Sequence, residues 1–293
     1  MGAPTPLCWS EWGNDGSGNG EFDVATDVAV GGNGQVYVAD ADNHRIQEFD
    51  ATGGFVRTWG VFGTGNSQFN RPFGVAVGAN GHVYVADTDN HRIQEFEANG
   101  TFVRKWGKNG GNGALGNATG EFQRPFRLAV GGNGHVYVAD TQNHRIQEFD
   151  QFGGFVGLWG GSGNAAGTFA FPAGIAVGSN GQVYVADSGN QRIQQFDANY
   201  SFARSWGSLG DGNGMFNKPY GLAIGANDHV HVADQHNHRI QEFSPTGRFI
   251  EQWGRFGNSN GRLNGPTGVA VGNRGRIYVA DQVNSRIGRV QVL

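Results

Sequence analysis

The chain has 293 residues, 52 of them glycine and 8 proline, with frequent Val and aromatic residues and no long run of Ala, Leu, Glu and Lys. This profile points to an all-β protein with many tight turns. A formal charge of −4 excludes the basic imbalance of a dedicated nucleic-acid binder, and a lone cysteine, Cys8, excludes an intrachain disulfide or a thiolate metal cluster.

In chain order, the opening "GAPTPLCWSEWG" has neither a basic start nor an apolar core, so no signal peptide is expected, and no apolar run approaches the ~20 residues of a membrane helix. The chain reads as a soluble protein, cytoplasmic or secreted after processing. Within the opening, "CWSEWG" (8–13) is strand-like but has no partner nearby. From residue 24 a single unit recurs, and its second copy is the clearest. There "GVAV" (74–77) is a short buried strand, "HVYVAD" a second, "HRIQEF" a third and "TFVRKWG" a fourth, with "GANG", "DTDN" and "EANG" as the turns between them.

The Ala-Asp pairs ending at Asp40, Asp87, Asp140, Asp187, Asp234 and Asp281 are 47 residues apart, except for one interval of 53. Trp12, Trp59, Trp106, Trp159, Trp206 and Trp253, each followed by Gly, keep the same rhythm. A period of this length with four antiparallel strands per unit predicts a six-bladed β-propeller, read as one domain over 1–293. The blades are expected at 24–60, 72–107, 125–160, 172–207, 219–254 and 266–293. The last copy stops before its fourth strand, and "CWSEWG" matches "FVRTWG" (55–60), so residues 7–13 are expected to complete it and close the ring.

Every unit carries D-x-x-N-x-R, from Asp40, Asn43 and Arg45 to Asp281, Asn284 and Arg286. Six copies around a ring cannot be one active site, so the motif is read as turn chemistry: Asp accepting backbone N–H groups in an Asx-type turn, Asn in the left-handed conformation, Arg reaching back to the carboxylate. Phe96, Phe102, Trp106 and their equivalents are expected to pack between blades. The motif reads "NHRI" at Asn43, Asn90, Asn143 and Asn237, "NQRI" at Asn190 and "NSRI" at Asn284. In these residues the chain resembles the NHL-repeat family of six-bladed propellers. The resemblance implies the fold, and it leaves function open among protein-interaction scaffolds, single-stranded RNA binders, sensor domains and a peptide-amidating lyase.

His44, His91, His144 and His238 lie on different blades, too far apart for one ion, and are expected to be solvated turn residues. His229 and His231 share a strand face in blade 5 and are the only weak metal candidates; otherwise no metal or cofactor is expected. The lyase places zinc-binding histidines directly after the proline that opens an inner strand. Here Phe73, Phe126, Ala173, Tyr220 and Thr267 stand there.

Function is sought where the repeats disagree. The pairs opening the inner strands are Thr26-Asp27, Phe73-Gly74, Phe126-Arg127, Ala173-Gly174, Tyr220-Gly221 and Thr267-Gly268, and only Asp27 and Arg127 replace glycine. Asp27, Phe73, Phe126, Arg127 and Tyr220 form the candidate ligand site at the channel mouth, suited to a small polar ligand or a peptide end, while the plainer and preferred reading of Phe73, Phe126 and Tyr220 is that they plug the channel. The longest connecting loop (107–125) offers Lys108, Asn109, Leu115 and Arg124 as partner-binding residues. Arg127→Ala is expected to weaken binding without changing the melting temperature. The leading reading is a noncatalytic, monomeric scaffold for a protein, peptide or small ligand. Single-stranded RNA binding on the same face and a metal-dependent lyase or hydrolase-like enzyme are the alternatives.

Overall fold

The alternation within each unit folds into a four-stranded antiparallel sheet, and the computed structural model, which describes residues 7–225 and 227–292, contains six such sheets. Blade 1 runs Ala25–Val30, Val36–Asp40, Arg45–Phe49 and Phe55–Trp59; blade 2 runs Pro72–Val77, Val83–Asp87, Arg92–Phe96 and Phe102–Gly107. The later blades open with Pro125–Val130, Pro172–Val177, Pro219–Ile224 and Pro266–Val271. Each inner strand contacts the next, and the sixth contacts the first, so the inner strands form a closed ring.

Closure follows the expected route. Leu7–Trp12 pairs antiparallel with Arg286–Val292, in register from Cys8 opposite Gln291 to Trp12 opposite Ile287. The strand that starts the chain thereby covers the edge that its end would leave open. Residue 293, assigned to blade 6 from the sequence, lies outside the described residues.

Burial explains why the strands differ in composition. Every position of "VYVAD" in blades 1 to 4 is buried, because the second strand is flanked within its own sheet and covered by neighbouring blades on both faces. The fourth strand is the rim, and in blade 1 four of its five residues are exposed. Between blades 1 and 2, Trp59 meets Phe96 at 5.9 Å and Tyr37 edge-on at 6.2 Å. Trp106 with Phe149, Trp159 with Phe196, Trp206 with Phe243 and Trp12 with Phe49 repeat the contact. The periodic aromatics therefore fill the seams, each fully buried Phe contributing roughly 1.5–3 kcal/mol.

The loops leading into the inner strands and the turns between second and third strands share one face of the disc; the other two hairpins of each blade lie on the opposite face. Glycine at 74, 174, 221 and 268 is required by close packing: a Cβ there would run into the first strand of the next blade. Among the described residues, no helix is long and apolar enough to cross a membrane.

Candidate functional site

The loop face is held by the repeated turn. In blade 2, Asp87 is fully buried and accepts from Asn70 N (2.7 Å), from Nδ2 of Asn90, from Nε of Arg92 (2.7 Å) and from Nε2 of Gln94 (3.0 Å). Arg92, also fully buried, spends its remaining donors on the carbonyls of Thr64, Gly65, Gln68 and Gly111. The turn thus ties down the loop that leads into its own blade. Burial pushes the Asp87 carboxyl above the ordinary aspartate range, and Arg92 and the other donors pull against it.

Two details differ from the sequence expectation. The backbone N–H that Asp87 accepts comes from the lead-in loop, not from an Asx turn of its own. The left-handed residue is His91, at φ 51° and ψ 42°, while Asn90 sits in the preceding 3-10 turn and uses its amide to bridge Asp87 and the Gly63 carbonyl. Gln94 is a further member of the network that the motif did not reveal; Gln47, Gln147, Gln194 and Gln241 repeat its bond to the aspartate.

The turn histidines are not simply solvated. Nδ1 of His91 accepts the backbone N–H of Arg124 at 3.0 Å, and His44, His144 and His238 do the same for Arg71, Phe171 and Gly265. In blade 4, Gln191 performs this task with Oε1, accepting from Lys218 N at 2.6 Å. Each of these side chains staples its blade to the loop entering the next. Burial pulls the His91 imidazole below its ordinary value.

At the channel mouth the structure brings together the five residues singled out from the sequence. Arg127 and Asp27 are both buried and form an ion pair at 3.1 Å, joining blade 3 to blade 1. Arg127 also donates from Nη2 to the Thr26 carbonyl, and Val75 N donates to Asp27 at 3.2 Å. Burial raises the Asp27 carboxyl, opposed by Arg127. Phe73 stacks on Phe126 at 5.1 Å, Phe126 meets Tyr220 at 6.4 Å, and the Arg127 guanidinium lies 5.7 Å from the Tyr220 ring. Because Arg127 balances a buried carboxylate, its removal would strand Asp27, so a lowered melting temperature is expected in place of an unchanged one.

Beside this cluster lies a cavity of about 310 Å³, opened by Ala173 between Phe126 and Tyr220, with Phe171 and Lys218 at its edge. The residues before the inner-strand prolines explain its charge. Arg71 pairs with Asp42 at 2.6 Å and Arg124 with Asp89 at 2.9 Å, each using the carboxylate two places after the turn aspartate of the preceding blade. Lys218 occupies the same place in blade 5, but its counterpart in blade 4 is Gly189, and no salt bridge forms to Lys218 among the described residues. The sequence analysis did not single out Lys218; the contrast of "KPY" after Gly189 with "RPF" after Asp42 and Asp89 is the signal that finds it.

The long loop is less unified than expected. Arg124 lies over Phe126 at 5.8 Å and so joins the mouth. Lys108 and Asn109 fall in a short helical turn, Lys108–Gly111, whose Gly111 carbonyl caps Arg92, and Leu115 is exposed. None of these three lines the cavity. In blade 5, His229 pairs with Glu242 at 2.5 Å, while His231 is buried against Trp253, with burial pulling its imidazole down to about 4. Among the described residues, no group of three or more His, Cys, Asp or Glu side chains is placed to hold a metal ion.

The family model described as NHL repeat matches residues 22–49, 69–96, 122–149, 169–196, 216–243 and 263–292. A stretch of 43 residues, 15% of the chain, is 51% identical to the B-box type zinc finger protein ncl-1 of Caenorhabditis elegans, and the match spans 5% of that protein's length. Among solved structures, a streptogramin B lyase superposes with a TM-score of 0.68 at 15% identity, covering 98% of each chain. A gluconolactonase from Xanthomonas campestris gives 0.67 at 13% identity, covering 94% of this chain and 88% of its own. At such identities these two likenesses show the fold alone.

Proposed function

The chain belongs to the NHL-repeat family, and from that premise we propose that it is a noncatalytic scaffold that binds a protein or peptide on the loop face around the channel. The observation that carries this reading is the cavity over Ala173: apolar walls from Phe126 and Tyr220, an exposed Phe171 at its edge, and an ammonium at Lys218 without the carboxylate its counterparts have. A peptide that places an apolar side chain in the cavity and a carboxylate on Lys218 satisfies both features. Single-stranded RNA fits less well, because Arg71 and Arg124 are already neutralised by Asp42 and Asp89, and a phosphate backbone needs free cations.

The test is a selection of random peptides displayed on phage against the purified protein. Selected peptides should lose about tenfold or more in affinity in Lys218→Glu and in Phe171→Ser, roughly 1.4 kcal/mol. Val56→Ser, on the exposed outer strand of blade 1, should leave them unaffected. Peptides that ignore the first two changes and depend on Val56 would place recognition on the rim and refute the proposal.

A further inference from the structure

A second departure from the repeat lies on the rim of blade 5, toward the face opposite the turns. Across the three outer strands of each blade one row of side chains is set by register. In blade 2 the row is Tyr84, Glu95 and Arg104; in blade 1 it is Tyr37, Glu48 and Arg57. The buried carboxylate in the middle takes the guanidinium at 2.9 Å in both blades. In blade 2 it also meets the Tyr84 hydroxyl at 3.3 Å and Nδ1 of His82 at 2.6 Å. The row in blade 5 is His231, Glu242 and Glu251. The cation has become a second carboxylate directly opposite the first, an arrangement that is destabilising by itself in a sheet.

The exchange leaves a void as well as a charge. A cavity of about 500 Å³ is lined by His229, His231, Glu242 and Glu251, with Val271 and Ile277 among its apolar walls. Blade 3, where Gly157 stands opposite Glu148, has a similar cavity of about 480 Å³; the hollows elsewhere on the rim are about 330 Å³ and 320 Å³. These two cavities lie in blades that keep the glutamate of the middle strand and lack the arginine opposite it. In blade 5, His231 is 5% exposed, and its Nδ1 has no partner among the described residues. Burial keeps this imidazole uncharged at neutral pH, so it adds no positive charge to the cavity it lines. Burial and the neighbouring Glu242 both push the Glu251 carboxyl upward, the behaviour of a group lacking a cation.

We propose that this cavity binds a guanidinium group, supplied from outside in the place that Arg57 and Arg104 fill from within their own blades. A guanidinium is a planar fork of N–H donors that suits two adjacent carboxylates and a neutral imidazole, whereas an ammonium presents a compact charge without the fork. The four side chains do not converge on a point as metal ligands must. The guanidinium can belong to a free small molecule or to an arginine of a partner peptide.

The probes are guanidinium chloride, L-arginine amide, L-lysine amide and the peptide Gly-Arg-Gly, followed by the imidazole NMR signals of His229 and His231. Guanidinium chloride should give a saturable shift with a Kd of about 1–10 mM, far below denaturing concentration. L-lysine amide should bind at least about fivefold more weakly than L-arginine amide. Gly-Arg-Gly binding more tightly than L-arginine amide assigns the group to a peptide, and the reverse order to a free ligand; either supports the site. Glu251→Gln should weaken binding about tenfold. Glu251→Arg supplies the missing guanidinium in cis, so it should abolish the shift while raising the melting temperature, which separates loss of the site from loss of the fold. No saturable shift, an undiminished shift in Glu251→Arg, or zinc chloride binding stoichiometrically and displacing the guanidinium would each overturn the proposal.

Discussion

The turns that carry Asp, Asn and Arg and the openings of the inner strands lie on the same face of the disc, yet the first are six copies and the second are six different residue pairs. The turn is saturated: Asp87 and Arg92 leave no side-chain donor or acceptor without a partner among the described residues, and two of the loop carbonyls that Arg92 binds, those of Gly65 and Gln68, have equivalents in every blade. Such a network serves its own blade and has to be built each time. The opening residues instead meet one another across the channel, as Asp27 does Arg127 and Phe73 does Phe126, so their requirements are met once for the whole ring. Repetition marks what each blade needs for itself, and divergence marks what the blades share.

The strongest way to break this comparison is Asp87→Ala. It leaves the Arg92 guanidinium buried without its counter-charge and strips acceptors from Asn70 N, Asn90 and Gln94. A loss of about 3–5 kcal/mol in urea denaturation is expected. A loss below about 1 kcal/mol would mean that the turn is ornamental and that its repetition needs another cause.

Arg127→Ala tests the other region and should cost less, roughly 2–3 kcal/mol at neutral pH, because Asp27 can shed its charge by taking up a proton. The sign of its pH dependence is fixed by the geometry. Burial holds the Asp27 carboxyl above its ordinary value even with Arg127 beside it, and removing the guanidinium raises it further. A folded-state pKa above the unfolded one contributes stability that is fully present below the unfolded value, near 3.9, and is lost as pH rises through the folded value. The penalty of Arg127→Ala should therefore shrink as pH is lowered from 7 toward 4. The double variant Asp27→Gly/Arg127→Gly, which restores the residue that the other four blades carry, should be more stable at pH 7 than Arg127→Ala, and the reverse order would show that the ion pair is not what Arg127 contributes.

The repeated region was also the more legible one. Four copies of "VYVAD", the variants "VHVAD" and "IYVAD", and six aspartates in phase carry the fold because register and turn chemistry are local properties, visible in any single copy. The convergence of Asp27, Arg127 and the three aromatics was legible as a break in symmetry, since a ring places equivalent positions around one axis. The cavity over Ala173 was not, because it depends on an absence, the missing carboxylate at Gly189, felt by a lysine 29 positions further on. Neither was the role of the turn histidines, since the N–H groups they accept lie 27 or 33 residues away on the loop to the next blade.

That last feature supplies the finest test, because the molecule already contains the control. His91 and Gln191 occupy the same left-handed position, at φ 51° and 56°, and each accepts a backbone N–H from the loop entering the next blade. Only the imidazole can lose its acceptor by protonation. Burial depresses the His91 imidazole in the folded state, so its contribution is fully present above the unfolded value near 6.5 and is lost as pH falls through the folded value. His91→Gln should leave stability at pH 7 within about 0.5 kcal/mol of the parent, because the side-chain carbonyl makes the same bond. Between about pH 6 and 5 the variant should lose less stability than the parent, by up to about 1 kcal/mol. Urea midpoints measured at both ends of that window decide the matter. Parallel losses in variant and parent would show that protonation of His91 does not open the staple, and that the choice between His and Gln at this position has no bearing on how the blades are joined.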